Sequence, residues 1–229
     1  MVQSPRANVA NHIRPQDVRR VCELLKRNYG KPRLGNPKNP VDDLIFIILS
    51  NKTSAHMAQR TYERLKERFA TWDDATSSRA VRTILHPAGL ATIKSKQIRS
   101  ALNRIQTDFG TCDLSALRKV SEDDAQHYLT ALPGVSQKVA KCVMMYTLGF
   151  HVLPVDTHVH RVTKRLGWTK KNRADQCHEE LEELVRPKLR YTFHVDCIAH
   201  GRAICRPSDP LCAQCPIKRY CAHFKNTKI

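Results

Sequence analysis

The 229-residue chain has no apolar run longer than the six residues from Leu44 to Leu49. A bilayer-spanning helix takes about 20 such residues, so none is expected. The opening stretch, MVQSPRANVANHIRPQD, lacks the apolar segment of a secretory signal, and an intracellular protein is expected. No alternating stretch of useful length marks a strand, and neither a fixed-period repeat nor a low-complexity segment occurs. Acidic residues are scarce, 21 Asp+Glu against 39 Lys+Arg, giving a net charge of +18. Such an excess repels itself unless a polyanion shares the load. Nucleic acid is the partner this charge indicates; a membrane surface is the weaker choice, because no basic amphipathic anchor stands out. From Thr157 to Arg173 there is no acid at all, only Arg161, Lys164, Arg165, Lys170, Lys171 and Arg173. The acids follow, at Asp175, Glu179, Glu180, Glu182 and Glu183, so the charge is concentrated by segment.

A hydrophobic content of 41% excludes wholesale disorder, and the length suits one large domain or two small ones. Residues 1–14 are polar. Beyond them the helical period dominates, and the fold class is all-α. A helix from Pro15 carries Val18, Val21, Leu24 and Leu25 inward and stops at Gly30. LIFIIL, apolar on every side, marks a central buried helix. Further helices are expected at His56–Phe69, Ala75–Leu85, Ile93–Phe109, Ser115–Lys119, from Ser121 to Leu132, Gln137–Leu148 and Thr157–Leu166. A long one is expected at Arg173–Leu189, interrupted at Pro187, and another from Tyr191 towards Cys205.

Four segments carry chemistry. Leu132-Pro-Gly-Val-Ser136 is a tight turn between two helices, and Gly134 frees its backbone for close approach to another surface. The amides of Val135, Ser136 and Gln137 open the next helix, where an anion such as a DNA phosphate is favoured; an ordinary helix–helix turn explains the residues equally well. Lys138 follows one turn in. The helix N-terminus and partial burial both disfavour its cation, which suits a nucleophile, against the ordinary solvated lysine that Lys141 exemplifies. Asp156 sits where an N-cap belongs. The helix from Gln137 to Leu148 rises about 18 Å, and eight residues from Gly149 can span up to about 26 Å. The carboxylate can therefore return to the start of that helix and pair with Lys138. Nine cysteines, an odd number, argue against a disulfide framework. Cys22, Cys112, Cys142, Cys177 and Cys197 are scattered and read as small core residues. Cys205, Cys212, Cys215 and Cys221, four within 17 residues, read as a metal site, either zinc or an iron–sulfur cluster.

Together LPGVSQKVA, then VDTHVHRV with its Asp 18 residues after the Lys, and the C-x6-C-x2-C-x5-C tail resemble the endonuclease III family of helix-hairpin-helix DNA glycosylases. The resemblance runs from the Val18 helix to Cys221. It implies a two-domain all-α fold with DNA in the cleft between the domains. A six-helix barrel would occupy 34–150, with the helix-hairpin-helix at about 122–149; residues 1–33 and 151–229 would form a discontinuous iron–sulfur domain. It implies Lys138 as Schiff-base nucleophile, Asp156 as catalytic carboxylate, and Cys205, Cys212, Cys215 and Cys221 as ligands of a [4Fe-4S] cluster. DNA contacts are expected at Lys52, Gly134, Val135, Ser136, Arg161 and Arg202. The implied activity is that of a bifunctional glycosylase/AP lyase acting on damaged bases, oxidised pyrimidines among them, in double-stranded DNA. A monomer with no membrane association is expected. A monofunctional glycosylase and a non-catalytic, metal-stapled DNA-binding module are the alternatives. Ser136 stands where the family has a second Gly, and Lys52 where it has a Gln.

Overall fold

The structure, a computed structural model, describes residues 13–86 and 91–227. The polar start expected over residues 1–14 lies outside these, apart from Ile13 and Arg14. Among the described residues every regular element is helical. The chain divides into two compact units, Arg33–Pro154 and the pair Met1–Pro32 with Val155–Ile229.

The Arg33–Pro154 unit is built around α2 (Pro40–Ser50). Pro40 occupies the first helical position, and the Asn39 side chain accepts from the amides of Val41 and Asp42. From there to Leu49 every residue except Asp42 is buried. Around it pack α3 (Ala55–Arg68), α5 (Ala91–Phe109) and α7 (Gln137–Val143). Against these stand α4 (Ala80–Leu85), on α3 and α5, and α6 (Glu122–Ala131), on α7. The period of α5 turns Ile98, Leu102 and Ile105 into this core. Each such side chain contributes about 1.5–3 kcal/mol relative to an exposed one.

In the other unit α1 (Pro15–Tyr29) lays Val18, Val21, Cys22 and Leu25 against α10 (Pro187–Ala203). α8 (Thr157–Leu166) packs on the same helix and on α11 (Ala222–Asn226), and α9 (His178–Leu184) precedes α10. Trp168 stacks on Phe193 with centroids 5.5 Å apart. Gly201 is what lets α8 close on α10: a Cβ there would lie 2.6 Å from His158 Nδ1 and 3.0 Å from Arg161 Nη2.

Three expected helices differ. Ala75–Leu85 splits into a 3-10 turn, Asp73–Ala75, and α4. Thr76 Oγ1 donates to Asp73 O, and Ser78 Oγ accepts from the Ala80 amide, bonds that compete with the helical ladder. Ser115–Lys119 is a 3-10 turn. Arg173–Leu189 breaks into a 3-10 turn, Ala174–Gln176, then α9, and Pro187 opens α10 rather than interrupting its predecessor. Arg186, at ψ 141, takes the extended conformation that a following proline imposes. Four of the five scattered cysteines are buried as expected, and Cys112 is partly so.

Candidate functional site

The turn between α6 and α7 is set by backbone chemistry. Gly134 has φ +79, a conformation glycine adopts without cost. Ser136 has φ −81, so a serine fits where the family has glycine. Its Oγ accepts from the Val139 amide at 3.4 Å and caps α7. The expectation for Val135 needs correcting. Its side chain is buried, and its amide donates to Leu132 O at 3.1 Å inside the turn.

Lys138 is half-buried in the first turn of α7. Lys141, the solvated comparison expected from sequence, is in fact buried, at 3% exposure. α7 continues through a π-turn, Met144–Leu148, which ends at Gly149. Asp156 belongs to the other unit. Its Oδ1 accepts from the amides of His158 at 2.9 Å and Val159 at 2.8 Å, so it does cap α8. Both cap bonds fall on one carboxylate oxygen.

Cys205, Cys212, Cys215 and Cys221 line one cavity, whose remaining wall includes Val162, Leu166, Ile204, Ile217 and Phe224. Burial pushes the Cys215 thiol up to about 11 and raises Cys221 as well, so as free thiols both hold their protons at neutral pH. Among the described residues no three His, Cys, Asp or Glu side chains close to the spacing of a single-ion site. Four soft sulfur donors around an apolar cavity, with guanidinium N–H beside one of them, fit a thiolate-bound metal group. That guanidinium is Arg165, whose Nη1 lies 3.3 Å from Cys205 Sγ and 2.7 Å from Arg206 O, while Nη2 donates to Pro207 O at 3.0 Å. His200 is fully buried between Tyr29 Oη, 2.9 Å from Nδ1, and Cys215 Sγ, 3.6 Å from Nε2. Burial draws its ring down to about 4, so it is neutral.

The expected DNA contacts separate. Arg202 is exposed on α10. Arg161 is turned inward: Nε donates to Cys205 O at 2.7 Å and Nη2 to Gly201 O at 2.8 Å, bracing α8 to the first cysteine. Lys52 is exposed with φ +54, unusual for a residue with a side chain. Lys94, buried in α5, brackets it by donating to Leu49 O at 2.6 Å and Thr53 Oγ1 at 2.5 Å. Lys94 and the buried Asp43 of α2 are polar residues that sequence reasoning passed over, and Arg165 entered it only as one charge of a basic run. Burial and partners single them out.

Residues 45–187 match the HhH-GPD superfamily base excision DNA repair protein model. Endonuclease III of Thermotoga maritima is 27% identical over 205 residues, 89% of this chain and 91% of its own. An inferred DNA glycosylase of Arabidopsis thaliana is 32% identical over 165 residues, 71% of this chain. The matched stretch spans 56% of that relative's length. Among solved structures, a non-covalent endonuclease III–DNA complex superposes with a TM-score of 0.79 at 24% identity, covering 93% of this chain and 97% of that one, a likeness of fold. With more than half of its length under the family model and the helical architecture in common, the chain belongs to the HhH-GPD superfamily of base excision DNA repair proteins.

Proposed function

We propose that this protein is a DNA glycosylase with AP lyase activity, removing damaged bases, oxidised pyrimidines among them, from double-stranded DNA. The observation that carries the reading is a half-buried Lys138 in the first turn of α7, directly behind the Leu132–Ser136 turn, in a chain of this superfamily. The target nucleotide leaves the stack. Lys138 Nζ forms a bond to C1′ as the glycosidic bond breaks and the base departs with the electron pair. Loss of the Nζ proton and opening of the sugar give an imine. Removal of a C2′ proton then expels the 3′ phosphate, cutting the strand 3′ to the lesion. The Asp156 carboxylate stabilises the positive charge that develops on the sugar. Duplexes carrying an abasic site or one of a panel of lesions test this. Nicking 3′ to the abasic site is expected. Base release without nicking would assign a monofunctional glycosylase, and binding without either a non-catalytic module.

Phosphates are held by the hairpin and by exposed basic residues such as Arg202 and Lys52. Gly134→Val is expected to weaken binding of damaged and undamaged duplex alike by about tenfold or more, read by anisotropy titration. Valine is strained at φ +79, and its Cβ would fall 2.5 Å from Gln97 Cγ. Unchanged affinity would remove the turn from the DNA surface.

The four cysteines are proposed to hold a [4Fe-4S] cluster. When bound, such a group cross-links the segment after α10, where few apolar side chains besides Ile217 are buried. The purified protein is then brown, with broad visible absorption and four irons per chain. Cys212→Ser is expected to bleach it and to lower the melting temperature. A colourless, fully active parent with one zinc per chain would contradict the assignment.

A further inference from the structure

Asp43 lies in the first turn of the core helix α2 and is fully buried. A buried carboxylate normally has every lone pair engaged. Its neighbour Asp42 does structural work, accepting from Trp72 Nε1 at 2.6 Å and meeting Lys66 at 3.3 Å. Asp43 is different. Asn36 Nδ2 donates to its Oδ1 at 2.6 Å, and Oδ2, equally buried, has no hydrogen-bond partner. α2 packs against α7, and the Lys138 ammonium on α7 is near enough to favour the ionised carboxylate. The other titratable groups acting with it are Tyr62 from α3 and Asp42 on its own helix.

We propose that Asp43 is the positioning residue of Lys138, its open Oδ2 accepting a proton from the Lys138 ammonium and leaving Nζ as a free amine. The inference rests on Lys138 being the nucleophile. In the step, an N–H bond of the ammonium breaks, its electron pair stays on nitrogen, and an O–H bond forms on Oδ2; nothing is oxidised or reduced. When the amine is regenerated at the end of turnover, the proton returns to it. An ordinary lysine is neutral about once in a few thousand molecules at pH 7, so an acceptor beside it matters. Burial outweighs the ammonium's influence and pushes the Asp43 carboxyl up to about 7. That closes roughly half of the gap between an ordinary carboxyl and an ordinary lysine.

The test is the pH profile of borohydride trapping on abasic duplex, from pH 5.5 to 9.5. Asp43→Asn keeps the Oδ1 acceptor for Asn36 and removes the base. Trapping is expected to fall about tenfold or more at pH 7, and the deficit to shrink towards pH 9.5 as hydroxide replaces the missing acceptor. Asn36→Ala removes the bond that favours the Asp43 anion, so the acid limb of its profile moves to higher pH. A melting curve at pH 8 checks folding. Asp43 bears its charge at a cost to stability that sets in above the ordinary carboxyl range and is complete above about 7. Asn avoids that cost, and the variant should melt no lower than the parent. A deficit independent of pH, or a profile in both variants identical to the parent's, overturns the proposal. Trapping that persists in Lys138→Gln overturns instead the reading on which it rests.

Discussion

Asp156→Asn is expected to lower base excision by about 100-fold to 1,000-fold while melting within a few degrees of the parent. The two effects separate because the residue caps α8 and, in the proposed mechanism, also supplies the catalytic charge. As a cap, Asp156 uses only Oδ1, which accepts both the His158 and Val159 amides. Asn presents the same carbonyl oxygen and caps a helix about as well. As a catalytic group the two are unlike, since the amide has no charge to set against a developing sugar cation. Asp156→Ala loses the cap too, at about 1 kcal/mol of stability. Excision rates on a lesion-bearing duplex and a melting curve check both halves. If Asp156→Asn excises at the parental rate, the residue is a cap alone.

Lys138→Gln is expected to abolish nicking of abasic DNA and borohydride trapping together, while affinity for undamaged duplex stays within a few-fold of the parent. Gln cannot form an imine, whereas its stem fills most of the space of the half-buried lysine. The loss is therefore one of chemistry, with the proposed phosphate contacts from the hairpin and the exposed lysines and arginines preserved. A parallel loss of binding would make Lys138 a phosphate contact.

Features written in local chemistry were legible in the sequence. Pro133-Gly134 marks a turn wherever it occurs, Asp156 marks a cap, and the four clustered cysteines do line one cavity. The helical period gave the all-α fold class, and failed at the short Ser115–Lys119 segment, where local bonds compete, as at Thr76 and Ser78, and where Pro187 could either end a helix or open one. Features written in side-chain direction were not legible. Arg161 and Arg165 stand in a basic run that reads as a DNA-facing stripe, yet both guanidiniums bond to carbonyls around Cys205. Asp43 precedes the run LIFIIL, apolar on all sides, so periodicity could not tell whether it faced water or the core. Lys138 and Lys141 are three residues apart, and only the packing of α7 separates a half-buried amine from a buried one.

The site of the covalent bond tests the central assignment most directly. The parent protein is trapped with borohydride on an abasic duplex, digested with protease and nuclease, and the modified peptide is located by mass spectrometry. The expected result is a single reduced adduct on Lys138. An adduct on Lys141 or on the N-terminal amine, with Lys138 unmodified, would contradict the assignment and place the chemistry on a different nitrogen.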